Sequence, residues 1–182
     1  LECAFAGCTS LTSLPEGLFE GCSGVRSLGT VYDTRNYALG IFARCTSLKS
    51  IPADLFASMT KGTRMPGIFY ECEALTEIPE GLFDHNPEVT YISYSFEGCS
   101  SLRSVPTGLF DKMRILQSTT RLFYGCQSLT GESPYTLING EKVHLYERQN
   151  HPTEFLEITN HNSTFRNCTN LTDHDSMPSD WR

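Results

Sequence analysis

The cysteines recur at a fixed interval. Cys45, Cys72, Cys99 and Cys126 are evenly spaced with a period of 27, and self-similarity at such a period is the mark of a repeat architecture. The unit reads Phe-x-x-Cys-x-x-Leu-x-x-Ile-Pro-x-x-Leu-Phe. Copies begin at Phe5, Phe42, Phe69, Phe96 and Phe123, with a partial copy at Phe165. Leu11/Leu14/Pro15, Leu48/Ile51/Pro52, Leu75/Ile78/Pro79 and Leu102/Val105/Pro106 fill equivalent places. The second half of each unit is a weaker copy of the first: Phe19-x-x-Cys22-x-x-Val25-x-x-Leu28, Phe83-x-x-Asn86-x-x-Val89-x-x-Ile92 and Phe110-x-x-Met113-x-x-Leu116 keep the spacing. The unit thus divides into two nearly equal parts, each a Phe-led turn followed by a short extended segment.

An apolar step of three fits neither a long strand, which alternates by two, nor a long helix interrupted by Pro in each unit. It fits short strands joined by tight turns, with each coil resting on the next. One coil cannot bury its apolar side alone, but a stack shares a continuous core. The Phe, Leu and Ile positions then form internal columns, and each buried side chain contributes about 1.5–3 kcal/mol. Pro15, Pro52, Pro79 and Pro106 cannot donate to a ladder and are expected where each strand ends.

Two gaps interrupt the period. The step from Phe5 to Phe42 exceeds it by ten, and the excess falls within Gly29–Ile41. The step from Phe123 to Phe165 exceeds it by fifteen and contains Tyr135-Thr-Leu-Ile-Asn139-Gly140-Glu-Lys-Val-His-Leu-Tyr146. Asn-Gly between alternating apolar residues predicts a β-hairpin, because both turn positions require positive φ. Residues 1–131 are read as the coils. Residues 132–182 are read as a hairpin insertion and closing half-coil of the same domain, a cap in which Trp181 covers the end of the stack. Such an end otherwise exposes an apolar rung and an open edge.

A chain of 182 residues matches one domain of about 100–200 residues. Its net charge of −7, with 14 Lys and Arg and no basic block, argues against nucleic acid, because phosphate contacts need clustered cations. No apolar run approaches the roughly 18 residues of a membrane span. The chain opens at Leu1 with no charged-then-apolar segment, which is read as a leader already removed or as a fragment.

Eight cysteines in 182 residues are well under the ~8–10% of a disulfide scaffold. Cys8, Cys45, Cys72, Cys99, Cys126 and Cys168 share one repeat position and are read as small buried free thiols. Disulfides between rungs are the alternative, since rungs about 5 Å apart lie within bridging range. Cys3 and Cys22 lie outside the column. No paired Cys/His spacing fits zinc. His151, His161 and His174 near Asp173 and Asp175 match no ligand pattern, and no nucleophile elbow, HExxH or phosphate loop occurs. No cofactor, metal or catalytic residue is expected, and the chain is read as non-enzymatic. Three sequons, at Asn162, Asn167 and Asn170, are read as coincidental.

The residues between the apolar positions carry the candidate surface. Arg64, Tyr91, Tyr94 and Arg121 lie in second halves of the unit and Arg103 in a first half. Tyr and Arg dominate interface hot spots, so these five are the candidate binding residues. Tyr70 and Tyr124 follow a column Phe and are read either as flanking the same surface or as packing on the rim.

Phe96–Pro106 (FEGCSSLRSVP) and Phe5–Pro15 (FAGCTSLTSLP) resemble the BspA-like leucine-rich repeats of Bacteroides-type bacterial surface proteins. The resemblance covers about Phe5–Leu129 and Phe165–Leu171. It implies an α/β leucine-rich-repeat solenoid of short parallel strands with tight or short helical turns. It also implies export to the cell surface or outer membrane, and adhesion to a host or bacterial surface protein. A surface protein that binds carbohydrate and a spacer without a ligand are the alternatives. The unit is longer than the commonest form of that repeat, and the Pro-x-Gly-Leu-Phe half is distinctive.

Overall fold

The computed structural model describes residues 1–32 and 37–182; residues 33–36, within the Gly29–Ile41 insertion, lie outside the described residues. Successive copies of the unit rest on one another in register. Parallel bridges join Ser27 to Arg64, Arg64 to Tyr91, Tyr91 to Ser118 and Ser118 to Asn160. On the other extended side, the amide of Lys49 donates to Thr12 O, Arg103 to Thr76 O and Thr130 to Arg103 O.

The expected α/β class with short parallel strands needs correction. Among the described residues there is no α-helix, and the parallel pairing narrows to single-residue bridges. The named strands belong to two antiparallel hairpins instead. Strand β1 (Gly29–Tyr32) pairs with β2 (Tyr37–Gly40), and β3 (Tyr135–Ile138) with β4 (Glu141–His144). The reason lies in the apolar step of three. Within a copy, Tyr70 N donates to Gly67 O, Cys72 N to Phe69 O and Leu75 N to Cys72 O, a run of turns rather than a strand. Every second amide still reaches the neighbouring copy: Met65 donates to Tyr91 O, Gly67 to Ser93 O, Phe69 to Ser95 O and Glu71 to Glu97 O, at 2.7–2.9 Å. Backbone groups are satisfied alternately within and between copies, as burial demands.

Two columns of phenylalanine fill the centre. Phe5, Phe42, Phe69, Phe96, Phe123 and Phe165 stack with successive ring centroids 5.3–5.7 Å apart. Phe19, Phe56, Phe83 and Phe110 form a second column at 5.9–6.5 Å. The columns touch diagonally at Phe19–Phe42, Phe56–Phe69 and Phe110–Phe123. Offset aromatic contacts of this kind add to the burial of the rings themselves.

The cysteine column has a hydrogen-bonding role. The thiols of Cys45, Cys72, Cys99, Cys126 and Cys168 each donate to the carbonyl of the Phe one copy earlier, at 3.0–3.3 Å. All eight cysteines are free. Burial pushes the Cys45 thiol up to about 11 and Cys99 to about 12, so both stay protonated donors at neutral pH.

The ends of the stack differ. In the first copy Phe5, Leu11, Leu14 and Leu18 are only half-buried and Cys8 is exposed, whereas Phe165, Cys168, Leu171 and Met177 are buried. Asp180 O and Trp181 O accept the amides of Ser163 and Phe165, and the Trp181 ring stacks on Phe165 at 6.5 Å. Trp181 therefore continues the first phenylalanine column. Before it, Asn139 (φ 52°) and Gly140 (φ 85°) turn β3 into β4. A 3-10 segment over Leu145–Asn150 then brings in Arg148, which is buried. Its guanidinium donates to Phe110 O and Met113 O at 2.9 and 3.0 Å and lies over the Phe155 ring. Asn86 treats the carbonyls of Phe56 and Met59 in the same way at 3.1 and 3.0 Å.

Candidate functional site

The bridge column places Tyr91 directly beside Arg64, and the Arg64 guanidinium lies 4.4 Å from the Tyr91 ring centroid. Arg64 is exposed and Tyr91 half-buried. Slightly further along each copy the chain turns, and here the structure holds Gly67, Tyr94, Arg121 and Ser163 at positive φ. Glycine adopts that conformation without strain, but Tyr94 (φ 66°) and Arg121 (φ 53°) do not. Residues held there cost on the order of 1 kcal/mol or more and concentrate at functional sites.

Tyr94 is buried rather than outward-facing. It packs with Ala43 and Tyr70 under Val31 and Leu39 of the first hairpin, which folds across this edge. Glycine at the hairpin base permits that approach: a Cβ on Gly40 would stand 2.2 Å from Gly67 O, and one on Gly29 2.3 Å from Pro66 O. Nothing in the periodicity announced this contact, although Gly29 and Gly40 bracket the insertion.

Arg121 binds Glu97 through Nη2 and Oε1 at 2.5 Å, and its guanidinium lies 4.1 Å from the Tyr124 ring centroid. Glu97 is only 5% exposed, and among the described residues its Oε2 has no hydrogen-bond partner. Burial drives its carboxyl up to about 7, against the opposing pull of Arg121. One copy earlier, Arg44 pairs with Glu71 at 2.9 Å and lies 5.7 Å from the Tyr70 ring centroid. Burial, with Glu71 and Glu97 nearby, raises the Tyr70 phenol to about 12.

Four of the five candidate residues thus belong to one edge, three of them at its surface. Arg103 does not join them. Its backbone belongs to the column of Thr76 and Thr130 on the other extended side, where its side chain is exposed. Sequence reasoning missed Glu97, Arg44 and Glu71. The signal available was charge at the two positions following a column Phe.

The histidines of the C-terminal region are half-buried or take part in local contacts. His144 Nδ1 is 2.9 Å from Glu147 Oε2 and its Nε2 is 3.6 Å from Asp173. His161 stacks on Trp181 at 4.5 Å, and His174 meets Asp175. Ser133 Oγ donates to Asp173 Oδ2 at 2.5 Å, and Tyr146 OH donates to the same oxygen. Ser133 bonds the carboxylate and not the imidazole, so the set joins the second hairpin to the C-terminal segment without pairing a nucleophile to a base. Among the described residues no group of three or more His, Cys, Asp or Glu stands together as metal ligands would. No helix there is long and apolar enough to cross a membrane.

No protein-family model matches the sequence, and no curated protein matches it significantly. Solved structures similar to it are leucine-rich-repeat proteins, several of them bacterial. A leucine-rich repeat protein of Treponema pallidum is 25% identical, with a TM-score of 0.33 over 71% of this chain and 59% of that one. One from Bacteroides ovatus is 22% identical, with a TM-score of 0.25 over 74% of this chain and 46% of that one. A leucine-rich cell surface protein of Faecalibacterium prausnitzii is 19% identical, with a TM-score of 0.19 over 94% of this chain and 67% of that one. The chain spans less than two thirds of the T. pallidum and B. ovatus proteins.

Proposed function

We propose that this chain is a leucine-rich-repeat solenoid of the BspA-like type that binds a protein at a bacterial cell surface, as an adhesion module without enzymatic activity. The observation that carries the reading is the edge formed by Arg64, Tyr91 and Arg121. Two cation–π pairs stand there on a backbone fixed by inter-copy hydrogen bonds, and Arg121 keeps a strained conformation. Preformed Arg and Tyr side chains on a rigid frame lose little freedom on binding. Tyr94 supports the edge from beneath. Arg103 would serve a partner only if that partner wraps to the other extended side. The exported location and Bacteroides-type affiliation belong to the same proposal, as does the reading of residues 132–182 as a cap.

The test is a binding screen of the purified chain against matrix proteins, mucins and bacterial surface proteins. Saturable protein binding, weakened at least tenfold by Arg64→Ala or Tyr91→Ala and unchanged by Arg103→Ala, supports the reading. Loss through Arg103→Ala alone moves the site to the opposite side. Silence from a folded sample overturns the reading in favour of a spacer.

A further inference from the structure

The second extended side of the coils carries a surface whose charge differs from that of the chain as a whole. Two columns run between its inward apolar residues. One is the bridged column from Ser27 through Arg64 and Tyr91 to Asn160. The other holds the residue before each of these, from Arg26 to Thr159. Neither column contains an acid, in a chain of net charge −7. Glu88 and Glu157 stand outside them, on the far side of the buried Val89 and Ile158. Carboxylates gather instead at the Pro-x-Gly-Leu-Phe corner, where Glu80, Asp84 and Asp111 line one groove.

Arg26 and Arg64 are both exposed, and the Arg64 amide donates to Arg26 O at 3.1 Å. Two guanidinium groups therefore leave neighbouring rungs, and like charges so placed repel. Arg44, Arg121 and Arg182 have carboxylate partners, but among the described residues Arg26 and Arg64 form no ion pair. The Tyr91 ring takes one face of the Arg64 guanidinium and leaves its planar N–H fork available to a carboxylate. The hydroxyls of Ser27, Thr63 and Thr90 donate back to Gly29 O, Arg26 O and Thr63 O, so their oxygens remain acceptors for an incoming N–H. An acidic peptide supplies both carboxylates and N–H donors. A nucleic-acid backbone lacks the N–H groups, and two cations give it too few phosphate contacts. We propose that the partner of this edge presents an extended acidic segment whose carboxylates pair with Arg26 and Arg64. This inference rests on the protein-binding edge of Arg64 and Tyr91 and names the chemistry of what it binds.

The bridged column crosses successive rungs from Ser27 to Asn160, a reach of about 20 Å that about six extended residues span. The test is therefore amide NMR of the whole chain titrated with a capped hexaglutamate peptide and with capped hexaglutamine as its neutral counterpart. Hexaglutamate is expected to move the Arg26, Arg64 and Thr90 amides saturably, at least about fivefold more tightly than hexaglutamine, and to weaken about fivefold as salt is raised to the physiological level. Arg26→Gln and Arg64→Gln are each expected to weaken it about three- to tenfold. Lys49→Gln removes an exposed cation from the other extended side and is expected to change binding by less than about twofold. No response to hexaglutamate overturns the proposal, as does equal binding of the two peptides or an equal loss through Lys49→Gln. Tighter binding of a heparin tetrasaccharide at the same amides overturns it in favour of an anionic polysaccharide. The two readings fail separately. A protein partner that is lost through Arg64→Ala or Tyr91→Ala, yet is indifferent to salt, to Arg26→Gln and to competing hexaglutamate, keeps the protein-binding edge and removes the acidic segment.

Discussion

The Sγ of Cys99 lies 3.3 Å from the carbonyl oxygen of Phe69, one copy earlier in the chain. The relation repeats in each later copy, so the cysteine column joins neighbouring units as well as filling space. Cys99→Ala is expected to lower unfolding free energy by about 1–2 kcal/mol, the net value of one buried hydrogen bond together with a small void. Urea denaturation measures it. Cys99→Ser keeps the donor and should recover part of the loss. A serine variant less stable than the alanine variant would show that the column acts by packing alone.

Thiol accessibility follows the same column. Cys8 is exposed and Cys3 and Cys22 are half-buried, while Cys45, Cys72, Cys99, Cys126 and Cys168 are buried. Burial also raises the thiols of Cys45, Cys72, Cys99 and Cys126, Cys99 to about 12, and the thiolate is the reactive form. Native alkylation at pH 8, read by mass spectrometry, should label Cys8 first and leave those five unlabelled until the chain unfolds. All eight should label in denaturant. A residue that stays unlabelled there would reveal a disulfide.

The repeat is legible because burial is periodic. The columns of Phe, Leu and Cys and the Asn139-Gly140 turn follow from residues whose packing or φ requirements are local. The bridges are shorter than the expected strands because each apolar step of three closes its own turn, and amide spacing within a repeat does not reveal which neighbour accepts. Tyr94 looks outward by its place between apolar residues. It is buried because the hairpin of β1 and β2, far back in the chain, folds over it, a long-range contact without periodic trace. Glu97 escapes sequence reading for the same reason: its importance comes from Arg121, in the next copy.

The first hairpin should depend on its glycines. A Cβ on Gly40 would meet Gly67 O at 2.2 Å and Ile68 Cα at 2.4 Å, both backbone atoms that cannot rotate away. Gly40→Ala is therefore expected to destabilise by about 2 kcal/mol or more, in the range of overpacking. It should also speed hydrogen exchange at Gly40, whose amide donates to Gly67 O. Gly24→Ala is the control, since a Cβ there meets nothing within 4 Å and the change should be neutral within about 0.5 kcal/mol. Equal effects from the two variants would dismiss the close approach.

Glu97 makes stability depend on pH in a defined direction. Its carboxyl is raised from 4.5 to about 7, chiefly by burial, so between those values the folded chain holds a proton that the unfolded chain has released. Folded stability conferred by this group is full below about pH 4.5. It declines as pH rises toward about 7 and levels off above, where both states are ionised. The melting temperature should therefore fall across that window more steeply in the unaltered chain than in Glu97→Gln, which has no proton to lose there. The difference between the two profiles isolates Glu97 from the histidines, which both proteins share. A melting temperature that rises with pH relative to Glu97→Gln would mean that the Arg121 pair outweighs burial.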